Sequence, residues 1–181
     1  VTESAEVQVR PGAEDDLDTL TAIYNHYVRE TPVTFDTDVF TPRERRPWLL
    51  SHPEDGRHRL LVAQERDSGR ILGYATSGPF RAKAAYATSV EVSVYCAPDA
   101  GGRGIGTLLY KALFEALAGE DVHRAYAGIT QPNEASARLH ARFGFTHVGT
   151  YREVGRKFGR YWDVAWYEKP LGTGTATSTS T

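Results

Sequence analysis

Glu91 stands in the middle of a run of β-branched and apolar residues, TSVEVSVYC at 88–96. A carboxylate in such a run is either turned to solvent or aimed into a cleft. Partial burial would raise its pKa towards what a general base needs near neutrality. Downstream, Gly101-Gly102-Arg103-Gly104-Ile105-Gly106 separates that run from an amphipathic segment. Backbone N–H groups and a helix N-terminus could hold a phosphate there, or the glycines could form a plain turn. The spacing matches neither the dinucleotide fingerprint G-x-G-x-x-G nor a P-loop, since Gly106 is followed by Thr107 with no lysine before it. Asn133, Ser136 and His140 share one side of a short helical segment, so they line either a site or a wet helix face. Arg81 and Lys83 lie between Phe80 and Tyr86. Two cations beside two aromatic rings could clamp a small carboxylate, or could be ordinary surface charges.

The elements that position these residues follow from periodicity. Residues 7–10, 59–65 and 70–78 read as strands, the last two joined by a turn at Asp67-Ser68-Gly69. Residues 15–31 carry Leu17, Leu20, Ile23, Tyr27 and Val28 at helical spacing behind acidic residues, and Thr41-Pro42 looks like a capped start of a second helix. In 88–96, Val90, Val92, Val94 and Cys96 fall on one face and Ser89, Glu91, Ser93 and Tyr95 on the other. Residues 105–117 place Ile105, Leu108, Leu109, Leu113 and Leu117 on one helical stripe. A strand at 125–130, a short helix at 133–142 stopped by Gly144, and strands at 146–153 and 161–169 complete the order β α α β β β α β α β β. A single domain over 1–171 is expected, followed by a Gly/Thr/Ser tail at 172–181 that has nothing large to bury.

Composition removes several classes of function. The chain has 181 residues and a net charge of -2, which offers no electrostatic basis for nucleic acid or an anionic membrane as partner. Cys96 is the single cysteine, so neither an internal disulfide nor a zinc site built on paired cysteines is expected, and no other metal site is apparent. No apolar run approaches the ~18 residues of a membrane span, and VTESAEVQVR has no apolar signal region, so a cytoplasmic location is the expectation.

Taken together and in order, these motifs resemble the GNAT superfamily of N-acetyltransferases, whose cofactor motif is Q/R-x-x-G-x-G/A. More narrowly, NHY at 25–27, VTF at 33–35, GPFRAKAAY at 78–86, VEVSVY at 90–95, SARLHARFGF at 136–145 and KFGRYWDVAWY at 157–167 are similar to the phosphinothricin N-acetyltransferase family. The resemblance spans roughly 7–171. It implies a mixed, mostly antiparallel α/β sheet of about seven strands flanked by about four helices. The implied activity is transfer of an acetyl group from acetyl-CoA to the α-amino group of a small amino acid or analogue such as phosphinothricin, methionine sulfoximine or methionine sulfone, with no metal.

Carried over residue by residue, the resemblance makes Glu91 the general base and His140 its partner in a proton relay or in orienting the amine. Val92, Ser93 and Val94 meet the pantetheine, Gly101, Gly102, Arg103, Gly104, Ile105 and Gly106 form the pyrophosphate loop, and Asn133 contacts the cofactor. Phe35 and Phe80 form an aromatic wall, Arg81 and Lys83 lie near the substrate's acid groups, and Tyr86 is a further substrate-binding residue. It further implies a homodimer, with Trp162 and Trp166 near the shared site. Gly101 departs from the family pattern, which has Gln or Arg there; Arg103 offers a cation in its place. Backbone N–H groups near Val92 are expected to stabilise the oxyanion. Cys96 reads as a core thiol on the strand face opposite Glu91 rather than as an acetyl carrier. Two alternatives remain open: a GNAT enzyme acting on a peptide N-terminus or an aminoglycoside, and a non-catalytic acyl-CoA-binding module.

Overall fold

The computed structural model describes residues 6–172. Seven strands, β1 (Val7–Pro11), β2 (Leu60–Glu65), β3 (Ile71–Pro79), β4 (Ser89–Cys96), β5 (Arg124–Thr130), β6 (Thr146–Lys157) and β7 (Arg160–Pro170), form one sheet in the order β1-β2-β3-β4-β5-β7-β6. Every neighbouring pair is antiparallel except β4 and β5. Four helices accompany it: α1 (Leu17–Glu30), α2 (Pro42–Leu50), α3 (Ile105–Leu117) and α4 (Glu134–Arg142). The mixed α/β architecture expected from the resemblance is the one observed. The tail expected from 172 onward falls almost wholly outside the described residues.

Local chemistry accounts for the element boundaries. The Thr41 side chain accepts from the Glu44 backbone N–H at 3.2 Å and Pro42 fills the first helical position, so α2 starts where a cap and a prebuilt φ coincide. The α1 helix begins at Leu17 instead of 15, because Glu14–Asp16 form a 3-10 turn in which Asp16 bonds the Ala13 N–H and pairs with Arg10. Gly144 has φ of 81°, and the N–H of Phe145 reaches back to the His140 carbonyl at 3.1 Å, which terminates α4. The last strand pair is longer than its periodicity suggested. The β6 strand runs to Lys157 across an irregularity between Tyr151 and Gly155, where Glu153 takes φ of 51° and its N–H bonds the Asp163 carboxylate at 2.7 Å.

Two helical layers enclose the sheet. Tyr74 on β3 and its register partner Tyr95 on β4 meet Trp48 of α2 and Tyr24 and Tyr27 of α1, which places those helices on the face that also carries Glu91 and Ser93. The opposite face receives α3: Ile105 lies against Gly73, where a Cβ would come within 2.8 Å of the Tyr95 carbonyl. Ile105, Leu109, Tyr110, Leu113 and Leu117 are all buried there. Each such side chain contributes roughly 1.5–3 kcal/mol of transfer free energy, and α4 docks beside α3 through Leu139 on Gly106 and His140 on Tyr110.

The feature that matters for function is a split in the sheet. The β4 and β5 strands pair only at Ser89–Arg124, Val90–Ala125 and Glu91–Tyr126. Beyond Glu91 they diverge, β4 staying with β3 and β5 with β7. Among the described residues no backbone hydrogen bond joins 92–96 to 127–130. Their facing edges present peptide groups that call for partners.

Candidate active site

Three cavities follow the split from one end to the other. At the first, a pocket of about 240 Å³ lies under the glycine loop at the N-terminus of α3, lined by Gly101, Gly102, Gly104, Ile105 and Gly106. Gly102 and Gly104 have φ of 78° and 69°, a left-handed conformation that side-chain-bearing residues adopt at a cost. A Cβ at Gly101, Gly102 or Gly104 would meet no protein atom within 4 Å, so it would point into open space. The loop, the helix N-terminus and two cations from α4, Arg138 and Arg142, make a fit for a polyanion. Arg103 does not line this pocket. Its guanidinium pairs with Glu65 at 2.9 Å, so the cation expected to compensate for Gly101 is directed to β2. The cations that do face the pocket are an i, i+4 pair on α4, a spacing visible in SARLHAR but overlooked beside the glycines. Cys96 packs against the core as expected but is only half-buried and also lines this pocket; burial pushes its thiol pKa up.

In the middle, the split itself is a slot of about 60 Å³ between Val92, Ser93 and Val94 on one side and residues 127–130 on the other. Asn133 and His140 close its α4 side. The Asn133 side-chain Oδ1 accepts from the Ser136 N–H at 3.1 Å and caps α4. His140 is buried, and both its ring nitrogens are engaged. Nδ1 lies 2.7 Å from the Ser136 carbonyl, which can only accept, so Nδ1 carries the proton and Nε2 accepts from the Tyr110 hydroxyl at 2.8 Å. Burial holds the imidazole pKa below its ordinary value, opposed by the Ser136 carbonyl, and the neutral ring is favoured. Tyr110 has no polar role in the periodic pattern of α3, and its pairing with His140, on another helix and 30 residues away, carries no signal in sequence.

At the far end the slot opens into a cavity of about 400 Å³ that contains Glu91. The slot and this cavity share Val33, Ser93, Tyr95, Gly128 and Thr130, so they are continuous. Burial raises the Glu91 pKa, and the nearby positive charge of Arg81 opposes that rise. Phe35, Tyr151 and Trp166 supply aromatic walls. Trp166 lies flat across β5 because residue 128 is glycine; a Cβ there would sit 2.9 Å from the indole. Phe80 and Arg81 line an adjoining pocket of about 310 Å³ that shares Tyr151 and Trp166 with the Glu91 cavity. Tyr86 lies at 6.0 Å from Phe80, edge to face, outside both. Lys83 lines none of these cavities and is exposed ahead of the 3-10 turn Ala84–Tyr86. Trp162 belongs to a different surface pocket, with Arg152 and Asp163. Among the described residues no cluster of three His, Cys, Asp or Glu side chains could hold a metal, and no helix is long and apolar enough to cross a membrane.

A glycine loop that fits a polyanion, a slot with unpaired β edges and a carboxylate at its far end make a layout suited to transfer from a long anionic donor to a small acceptor. A family model for the acetyltransferase (GNAT) domain matches residues 10–166, and the chain belongs to that family of acetyltransferases. Among individual relatives, the phosphinothricin N-acetyltransferase of Streptomyces coelicolor is 79% identical over 93% of this chain and 98% of its own length. The L-methionine sulfoximine/L-methionine sulfone acetyltransferase of Pseudomonas paraeruginosa is 34% identical over 90% and 94%. A phosphinothricin acetyltransferase from Sinorhizobium meliloti, solved in complex with acetyl-CoA, superposes with a TM-score of 0.87 at 31% identity, covering 97% of this chain and 94% of that one.

Proposed function

We propose that this protein transfers an acetyl group from acetyl-CoA to the α-amino group of a small amino acid or analogue, of the kind represented by phosphinothricin, methionine sulfoximine and methionine sulfone. The observation that carries the proposal is the half-buried Glu91 carboxylate at the point where the slot opens into the acceptor-sized cavity. The names of the relatives support the acceptor class.

Acetyl-CoA supplies the activated thioester. The chain's own residues do the rest. The loop at 101–106, Arg138 and Arg142 hold the phosphates, and the unpaired edge of Val92–Val94 holds the pantetheine arm by backbone hydrogen bonds. Backbone N–H groups beside Val92 face the acetyl oxygen. Glu91 takes a proton from the acceptor's ammonium, directly or through one water, which frees the amine to attack. His140 keeps the slot's geometry through Ser136 and Tyr110; its Nε2 lone pair is already in use, so it acts as a positioning residue. Arg81 faces the acceptor's acid group and, through its charge, keeps Glu91 ionisable. The protein acts as a cytoplasmic homodimer in this reading, with the exposed Val148, Tyr151, Val154, Phe158 and Tyr161 of β6 and its hairpin covered by the second copy. Its role would be to inactivate toxic amino-acid analogues.

The test is release of CoA thiol from acetyl-CoA with phosphinothricin, methionine sulfoximine, methionine sulfone and common amino acids as acceptors. Turnover with the phosphorus or sulfur analogues is expected. Silence across that panel with acetyl-CoA still bound would overturn the acceptor assignment, and turnover restricted to a peptide or an aminoglycoside would replace it.

A further inference from the structure

We infer that Lys157 is a positioning residue for the acceptor, because its ammonium ties the 31–41 loop to the end of β6 and so holds Val33, Thr34 and Phe35 against the Glu91 cavity. The inference rests on the reading of that cavity as the acceptor site.

The loop that forms this wall has neither helix nor strand across 31–41, so its carbonyl groups depend on partners from elsewhere. Lys157 supplies two of them. Its Nζ donates to the Thr31 carbonyl and to the Thr34 carbonyl, each at 2.8 Å, across a sequence separation of more than a hundred residues. The side chain is 5% exposed, and among the described residues no carboxylate lies within ion-pair distance of it. Burial lowers its pKa, while the charge of Asp36 acts the other way. A buried ammonium is costly to keep unless its protons are used, and both hydrogen bonds here go to one short stretch of loop.

The remaining ties of the loop come from α1 and from β6. Asn25 bonds the Phe40 backbone in both directions, at 2.8 and 2.9 Å, and fixes the loop's far end. The Tyr24 hydroxyl bonds Thr34 at 2.8 Å and the Asp36 carboxylate. Phe35 rests on Gly155, where a Cβ would fall 2.1 Å from the ring. Lys157 is thus the polar link between β6 and the segment that carries the cavity residues. Phe35 and Thr34 line the cavity only while that link sets their height above the sheet.

The experiment compares wild type with K157M and K157R, reading amide hydrogen exchange across 31–36 together with KM for the acceptor and for acetyl-CoA. K157M keeps the length and loses the donors. Exchange across 31–36 is expected to accelerate and the acceptor KM to rise by about tenfold to a hundredfold, since displacement of an acceptor-orienting wall costs on that scale. The acetyl-CoA KM should stay near the wild-type value, and K157R, which keeps donors, should recover part of the acceptor KM. Unchanged exchange at 31–36 in K157M would overturn the inference. Faster exchange with an unchanged acceptor KM would also overturn it, and would locate the fault in the acceptor reading, which Glu91→Gln tests separately. Should K157M not fold, K157Q, which is uncharged and shorter but keeps one amide donor group, is expected to shift exchange and the acceptor KM in the same direction by a smaller factor, and no change in either would overturn the inference.

Discussion

Replacing Tyr110 by Phe deletes one atom from a site where nothing else can take its place. Tyr110 is fully buried among Phe114, Phe143 and Phe145, so the ring of a phenylalanine fits the same space. The hydroxyl it loses is the donor to Nε2 of His140 at 2.8 Å, while Nδ1 stays committed to the Ser136 carbonyl. His140 is 3% exposed, which leaves Nε2 as a buried acceptor without a partner. Such a group costs about 1–3 kcal/mol. With about 2 kcal/mol as the central value and about 2–4 °C per kcal/mol for a chain of this size, the melting temperature should fall by about 4–8 °C. Acetyl transfer should fall by less than about tenfold, because the proton leaves through Glu91 and the ring is only reoriented. Thermal melts and steady-state kinetics on one preparation give both numbers. An unchanged melting temperature would refute the hydrogen bond's contribution, and a loss of turnover as deep as that of a Glu91 variant would refute the positioning role and make the Tyr110–His140 chain the proton path.

Three further outcomes are expected. Because burial raises the Glu91 pKa and the base must be ionised, kcat should fall with decreasing pH through a limb above the ordinary carboxylate value of 4.5; Arg81→Met, which removes the opposing charge, should move that limb to higher pH in a pH–rate profile, and a shift to lower pH would contradict the assignment. His140 has a depressed pKa in the folded protein, so its contribution to stability is present above 6.5 and is lost as pH falls through the lower folded value; the fall in melting temperature across that window should be shallower in His140→Phe than in wild type. Gly155→Ala places a methyl group 2.1 Å from the Phe35 ring and should displace it, costing about 1–3 kcal/mol by overpacking and raising the acceptor KM with little effect on that for acetyl-CoA, as steady-state kinetics would show.

Much of this arrangement is legible in the chain because it is local. The stripe on α3, the Thr41 cap of α2, the alternation of β4 and the stop at Gly144 each depend on residues a few positions apart, and each appears where periodicity and capping chemistry put it. Glu91 is visible for the same reason, as an acid where an alternating strand offers a face. The parts that were not legible are the non-local ones. Whether β4 and β5 stay paired beyond Glu91 depends on which strands hold their outer edges, and no residue in either strand announces the split. Arg103 reads as a phosphate ligand until Glu65 is folded beside it, and nothing near Lys157 in the chain points to the 31–41 loop that its ammonium meets in the fold. The β6 strand reads as shorter than it is because its irregularity between Tyr151 and Gly155 interrupts the alternation that marks a strand.

The central claim is that Glu91 is the general base of an acetyl transfer whose donor site is built from other residues. Glu91→Gln keeps the shape of the side chain and removes its basicity. Turnover of acetyl-CoA with the preferred acceptor should fall by about 10²–10⁴, while acetyl-CoA affinity, measured by calorimetry on the same protein, stays near that of the wild type. Turnover that survives the substitution would contradict the account.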